Sequence, residues 1–210
     1  MISPFAKWVC WNIFLASIPV VVAYSLPGLL SLKPRGAPRK IAIGALGVIW
    51  LAFLPNSCYL LTEWRHFFDL LESSGLYSQA QTQPGHTLQF LAYALFYFLY
   101  SGAGVLSFAL SIRPVQRTLR QRYNLTVPAA IFFFMMALGV YLGLILRLNS
   151  WDIIRQPGIV FASIWGVVDR PVLLGMIAGF AAFLWLLYEA VDIWIDGFQH
   201  RISHEQKVTA

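Results

Sequence analysis

The chain has 210 residues, of which 59% are hydrophobic and only 11% are charged. A water-soluble domain carries about 25% charged residues, because its surface must be hydrated. So little charge excludes a soluble protein of this length, and lipid must cover most of the surface. The sequence therefore predicts a single integral membrane domain over residues 1–210. Its net charge of +6 is explained by basic loops between apolar segments, so no nucleic-acid partner is expected.

Five apolar segments are long enough to cross the roughly 30 Å hydrocarbon core of a bilayer. They predict an all-α, polytopic membrane helix bundle with transmembrane helices at residues 8–32, 41–62, 88–112, 127–147 and 172–194. Residues 67–87 are expected to form a polar linker. Segment 153–168 contains Arg155-Gln156-Pro157-Gly158, which favours an interfacial segment over a sixth span. For the first apolar segment, a cleaved signal peptide ending near residues 23–25 is the alternative.

The distribution of basic residues predicts the orientation. Most of the 15 Lys and Arg residues fall in loops 33–40 and 113–124 and in the C-terminal tail. Basic loops stay on the cytoplasmic side, so the N-terminus is expected outside and the C-terminus inside. The expected location is a bacterial inner membrane, or a thylakoid membrane in a photosynthetic host.

The second apolar segment is interrupted near its end. Pro55 cannot donate a helical hydrogen bond, so we expect the helix to be broken or kinked there. Asn56 could then satisfy the carbonyl groups that the break frees. Interrupted helices are typical of binding sites in membrane proteins.

Two polar clusters form the candidate site, because the predicted topology places both at the outward membrane face. The candidate residues are Asn56, Tyr59, Glu63, Arg147, Asn149, Trp151 and Asp152. Charges near the hydrocarbon must pair or face water, so an ion pair between Glu63 and Arg147 is expected. Two interpretations remain open: a polar pocket that opens outward, or a hydrogen-bonded connection between the second and fourth helices.

These two clusters also carry a family resemblance. The segment Leu54-Pro55-Asn56-x-x-Tyr59-Leu60-x-Thr62-Glu63, together with Arg147-Leu148-Asn149-Ser150-Trp151-Asp152, resembles the bacterial membrane proteins grouped as domain of unknown function 1361. The resemblance extends over roughly residues 40–195. Members of that family usually have Asp where this chain has Glu63, so the acid is kept but is one methylene longer. The resemblance implies a multi-span bacterial membrane protein and supplies no activity, substrate or catalytic residue.

Other residues that could carry chemistry lie near the ends of the spans. Glu189, Asp192 and Asp196 share one helix face, and they could form an acidic stripe, contact the basic inner loops or relay a cation. The four His residues lie in loops or at span ends, so no haem or pigment is predicted. Cys10 and Cys58 lack metal-site spacing, so no metal is predicted. Both are interpreted as small buried apolar side chains, with a disulfide as the alternative.

No catalytic motif is present, so the preferred hypothesis is not an enzyme. It is a non-enzymatic accessory or assembly subunit of a larger membrane complex, with photosynthetic and respiratory complexes as the candidates. Its partners would be the lipid bilayer and other integral membrane proteins. The first alternative is a small transporter or ligand-binding protein with an outward polar pocket. The second is an intramembrane enzyme that uses Ser57 or Cys58 as nucleophile and His66 as base.

Overall fold

The computed structural model describes residues 4–31, 36–120, 124, 126–148 and 152–208. Within them the chain is almost entirely helical and contains no strand. The helices are α1 (Pro4–Ser31), α2 (Ala37–Leu61), α3 (Trp64–Ser74), α4 (Leu76–Ala80), α5 (Pro84–Arg120), α6 (Thr126–Leu144), α7 (Asp152–Arg155), α8 (Pro157–Val168) and α9 (Pro171–Val208). This confirms the predicted all-α bundle.

Five helical segments are long and apolar enough to cross a membrane. They are Phe5–Ser31, Ala37–Ser74, Pro84–Arg120, Thr126–Leu144 and Pro171–Glu205. The 12-residue α8 extends about 18 Å and is too short to span the hydrocarbon core. Its interfacial location and the orientation of the bundle stay predictions. The chain is thus a multi-pass membrane protein with five spans.

The five spans alternate in direction, so the bundle has two distinct ends. At one end α1 begins, α2 ends, α5 begins and α6 ends; we call it the Glu63 end. At the other end α5 and α9 finish, and we call it the Arg113 end. Between them lies a core contributed mainly by α2, α5, α6 and α9, whose fully buried side chains include Leu54, Phe108, Phe133, Leu184 and Tyr188.

The predicted polar linker at 67–87 is wrong, because most of it is helical. Helix α3 begins directly after a turn at Thr62 and Glu63, and α4 follows Gly75. Phe67 of α3 is buried against the rings of Phe90 and Tyr97 of α5, with centroids 5.8 and 5.6 Å apart. This apolar face holds a helix that is otherwise polar against the bundle.

Of the two predicted outcomes at Pro55, a broken or a kinked helix, the break is wrong, whereas the kink stays a prediction. Helix α2 continues through this residue and ends at Leu61. The ring of Pro55 packs against Gly139 of α6, where a side chain would lie 3.3 Å from the proline ring. The amide of Asn56 donates a hydrogen bond of 3.0 Å to the carbonyl of Phe53. Packing against a neighbouring helix therefore supports the proline inside a continuous helix.

The two cysteines differ in environment. Cys58 is buried, as predicted for a small apolar side chain, whereas Cys10 is exposed on the surface of α1, where the prediction of burial is wrong. Both thiols are free. The alternative of a disulfide between them is therefore not realised.

Gly104 allows the backbones of two spans to approach closely. A Cβ at this position of α5 would lie 2.6 Å from the Cβ of Leu60 and 3.0 Å from the backbone nitrogen of Leu61. No side chain fits there without moving the backbone of α2. Small residues at helix crossings let backbones approach closely in membrane proteins.

We predict that Gly104→Ala lowers the free energy of unfolding by about 1–3 kcal/mol, because the added methyl group must push α5 away from α2. Thermal unfolding of the purified protein in detergent measures this. Gly102→Ala is the matched control on the same helix, since its Cβ would meet nothing within 4 Å. Equal midpoints for the two variants would contradict the close contact.

Candidate functional site

The Glu63 carboxyl group lies in a buried position at the Glu63 end of the bundle. Glu63 follows Leu60 by one turn, and Leu60 contacts Gly104 of α5. The glutamate therefore lies nearer the start of α5 than Gly104 does, at the end of the bundle where Tyr97 and Tyr100 are buried. Only 9% of Glu63 is exposed. Its Oε2 accepts no hydrogen bond from any described residue.

Two hydroxyl groups close to Glu63 in the fold are buried without partners as well. The Tyr100 hydroxyl and the Ser101 Oγ, both on α5, form no hydrogen bond with the described residues. Asn12 of α1 lies beside the Tyr100 hydroxyl but does not form a bond of normal geometry. Nearly all buried polar groups in proteins are hydrogen-bonded. Three unpartnered groups at one end of a bundle therefore identify a place that can accept a ligand or water.

A groove of about 760 Å³ opens next to these groups. Its walls come from three helices: Phe5 and Trp8 of α1, His66, Asp69, Leu70 and Ser73 of α3, and Tyr93 and Tyr97 of α5. This volume is within the range of small-molecule sites. Four of its lining residues are aromatic, and one is a carboxylate.

His66 connects the buried acid with the groove. Its Nε2 lies 3.6 Å from Glu63 Oε2, and its Nδ1 lies 3.8 Å from Asp69 Oδ2. The side chain of Asp69 is 65% exposed. The indole of Trp8 meets the His66 ring edge-on, with centroids 5.3 Å apart, and also contacts Tyr100. A line of carboxylate, imidazole and carboxylate thus runs from the protein interior to the surface.

Glu63 and Arg147, which the sequence analysis expected to pair, do not form an ion pair in the described part of the chain. The cationic side chain of Arg147 is exposed. Its backbone has a φ of 55°, in the left-handed region that favours glycine. The amide of Leu148 then donates a hydrogen bond of 3.0 Å to the carbonyl of Leu142. Arg147 therefore lies at the turn that ends α6, and the expected pairing is wrong.

The remaining candidate residues have separate positions. The Tyr59 hydroxyl donates a hydrogen bond of 3.4 Å to the carbonyl of Gly139, and its ring fills the space that Gly143 leaves on α6. Asn56 bonds within its own helix. Asp152 is half-buried at the start of α7. Asn149 and Trp151 lie outside the described residues. Tyr59 and Asn56 are thus structural. Glu63 does not line the groove itself, but it is the predicted residue that lies beside a lining residue, His66.

Several residues of the groove were missed by the sequence analysis. Glu63, His66 and Asp69 are spaced by three residues, which places them on one side of a helix. The spacing indicates a shared face only where the segment after Glu63 is helical. Because that segment is polar, the sequence analysis predicted a linker there and the shared face was missed. The aromatic residues from α1 and α5 gave no signal of their own, because aromatic side chains are common at the ends of membrane spans.

The nucleophiles considered for an intramembrane enzyme do not reach the groove. Ser57 and Cys58 are both fully buried inside the bundle. The Ser57 hydroxyl donates a hydrogen bond of 3.3 Å to the carbonyl of Ala16 on α1. Its position is explained by the packing of α1 against α2.

A second polar cluster lies at the Arg113 end. Arg113 of α5 is 5% exposed, and its Nε lies 3.3 Å from Asp192 Oδ1 of α9. It also binds Asp196 and donates a hydrogen bond of 3.2 Å to Gln199. Arg117 binds Asp196 and lies 3.6 Å from Asp192. Two arginines thus balance two aspartates, and the cluster joins α5 to α9.

This cluster bears on the three interpretations of the acidic face of the last span: an acidic stripe, a contact with the basic inner loops or a cation relay. Arg120 lies 3.6 Å from Glu189, and the buried Tyr188 hydroxyl donates to Gln116. The acidic residues therefore contact the basic segment after the third span, which was one of the three predicted alternatives. The basic segment is helical as far as Arg120, and not a loop as expected.

Comparison with known proteins gives one family. A family model described as Protein of unknown function (DUF1361) matches residues 11–187. No curated protein and no solved structure matches the chain. The matched region contains Glu63, His66 and Tyr97, whereas Phe5 and Trp8 precede it.

We predict that Asp192→Asn lowers the free energy of unfolding by about 3–5 kcal/mol, because it leaves Arg113 buried beside too little negative charge. The unfolding midpoint in detergent measures the loss. Arg201→Gln is the control: Arg201 forms an exposed pair with Glu205 at 3.4 Å, and such pairs contribute at most about 1 kcal/mol. Similar losses in both variants would show that burial does not strengthen the α5–α9 cluster.

Proposed function

The chain belongs to the DUF1361 family of proteins of unknown function, and we propose that this member binds a small ligand in the groove at its Glu63 end. The observation that carries the proposal is the Glu63 carboxyl group. It is 9% exposed, it has an oxygen without a hydrogen-bond partner, and it lies 3.6 Å from a histidine that lines the groove.

The free-energy cost of burying a charge distinguishes a binding site from a structural connection. Removing a carboxylate from water costs several kcal/mol unless a cation or hydrogen-bond donors compensate. At the Arg113 cluster, opposite charges meet within the protein, so we interpret it as structural, although Arg113 Nη1 and Asp192 Oδ1 form no hydrogen bond with the described residues. Glu63 has Arg65 nearby in sequence, but Arg65 is exposed and forms no ion pair with it among the described residues. His66 is the basic group beside it, and at 3.6 Å it forms no hydrogen bond with Oε2. A bound ligand would add compensation that His66 provides only in its protonated form.

Binding is a better proposal than transport or catalysis for this bundle. The sequence has no internal repeat of the kind that alternating-access transporters use. The candidate nucleophiles Ser57 and Cys58 are buried away from the groove. With the N-terminus outside, as the basic loops predict, the groove would face the exterior of a bacterial inner membrane or the lumen of a thylakoid membrane.

The accessory or assembly role in a larger complex stays a prediction. No described contact identifies a partner, and a ligand-binding subunit could also belong to a complex. Co-purification at native expression level tests this role. A protein that is recovered only as a free monomer in mild detergent would contradict it.

We predict that Glu63→Gln raises the free energy of unfolding of the ligand-free protein by about 1–3 kcal/mol, because it removes a buried charge that has no partner. Residues kept for function commonly reduce stability in this way. Thermal unfolding in detergent, without added ligand, measures the difference.

Glu72→Gln is the matched control for this prediction. Glu72 lies on α3, is exposed and does not line the groove. Surface changes of this kind alter stability by about 0.5 kcal/mol or less. If Glu63→Gln instead destabilises the protein, Glu63 has a structural partner and the binding proposal fails.

A further inference from the structure

Resting on the proposed function, we propose that the ligand of the groove is a small organic cation, a substituted ammonium group held between aromatic rings beside the carboxylate of Asp69, with the carboxylate of Glu63 behind His66. Three features of the groove support this class of ligand: its aromatic walls, its charge and its lack of a metal-binding geometry.

The aromatic walls provide faces for a cation. Phe5 and Trp8 line the groove from α1, and Tyr93 and Tyr97 line it from α5. Rings with this composition attract ammonium groups through their quadrupoles, and cages of such rings are the usual recognition device for quaternary ammonium ligands. The ring of Phe5 is held by Phe96 at 5.4 Å, and that of Trp8 by His66 at 5.3 Å. The walls are therefore positioned by packing before a ligand binds.

The charge of the groove favours a cation over an anion. Asp69 is its one carboxylate wall residue, and no Lys or Arg is among the lining residues. Behind the His66 ring lies Glu63, whose Oε2 is buried without a hydrogen bond. An anion in the groove would meet these two carboxylates with the His66 ring as the basic group between them. A cation would add an opposite charge on the groove side.

The geometry does not fit an inorganic ion. Among the described residues no group of three His, Cys, Asp or Glu side chains has an arrangement that could hold a metal ion. Much of the wall is aromatic carbon, which offers no lone pairs to a hard cation. An organic cation can use carbon walls and a carboxylate together, so the same surface fits it better.

Choline binding to the full-length protein in phosphatidylglycerol nanodiscs tests the class of ligand. Titration calorimetry would compare choline with potassium, acetate and glucose. We expect saturable binding of choline, and binding that is at least about tenfold weaker in Asp69→Asn and Glu63→Gln, since each removes a compensating charge. Glu72→Gln on the same helix should leave the affinity unchanged.

The aromatic contribution has its own matched pair of variants. Trp8→Leu should weaken choline binding by about 2- to 30-fold, the range for loss of a cation–π contact. Trp11→Leu is the control, because Trp11 is exposed on α1 and does not line the groove. Equal affinities for the two variants would overturn the aromatic part of the inference.

A change of lipid distinguishes a free solute from a lipid headgroup as the source of the cation. The ammonium group could belong to a free solute or to a lipid headgroup, so the titration is repeated in phosphatidylcholine nanodiscs. Loss of choline binding there identifies the headgroup as the occupant, and unchanged binding identifies a free solute. If choline does not bind in phosphatidylglycerol nanodiscs, the cation inference is overturned. The broader ligand proposal falls with it only if Glu63→Gln also fails to stabilise the ligand-free protein.

Discussion

The contact between α2 and α5 at Gly104 determines where the polar groups at the Glu63 end lie. Because this residue has no side chain, the backbone of α2 at Leu60 and Leu61 can approach α5 closely. The turn that follows Leu61 then places Glu63 beside His66, whose ring contacts Trp8 of α1. A wider separation would admit water or lipid between the helices and leave the carboxylate exposed. One small residue thus allows a buried acid at the end of a membrane span.

The two ends of the bundle use charge in different ways. At the Arg113 end, arginines of α5 meet aspartates of α9, so the buried charges compensate each other within the chain. At the Glu63 end, the buried carboxyl group lies beside a histidine, and its Oε2 accepts no hydrogen bond from the described residues. The same solvation penalty applies at both ends. Arg113 Nη1 and Asp192 Oδ1 also lack hydrogen bonds, but there two arginines face two aspartates, and this contrast in charge supports a binding role for the Glu63 end.

The features that depend on segment length and hydropathy could be predicted from the sequence. The five spans followed from runs of apolar residues, because lipid imposes a minimum helix length. The course of α2 through Pro55 could not be predicted, since the space for the proline ring is supplied by Gly139 of a helix far away in sequence. Helix α3 was missed for a similar reason: Phe67, which holds it, packs on residues of α5.

The candidate site was predicted in part. The predicted topology correctly placed Glu63 at the same end of the bundle as the last residues of α6. Two residues at the same end can still face different neighbouring helices. Arg147 terminates α6 on its own and is exposed, whereas Glu63 turns toward α1 and α5. Which side a residue faces depends on helix rotation and on close contacts such as that at Gly104. Neither is readable from a single sequence.

The account predicts that the groove concentrates cations, and thiol labelling tests this most directly. Tyr93→Cys would place a thiol in the wall of the groove, in a Cys10→Ala background, since Cys58 is buried. The measurement compares the rates at which two methanethiosulfonate reagents label this thiol in nanodiscs, one carrying a trimethylammonium group and the other a sulfonate. Each rate is divided by the rate at which the same reagent labels a free thiol in solution. The account predicts that the cationic reagent reacts at least about tenfold faster, and that Asp69→Asn reduces this ratio. Equal rates, or faster labelling by the sulfonate, would contradict it.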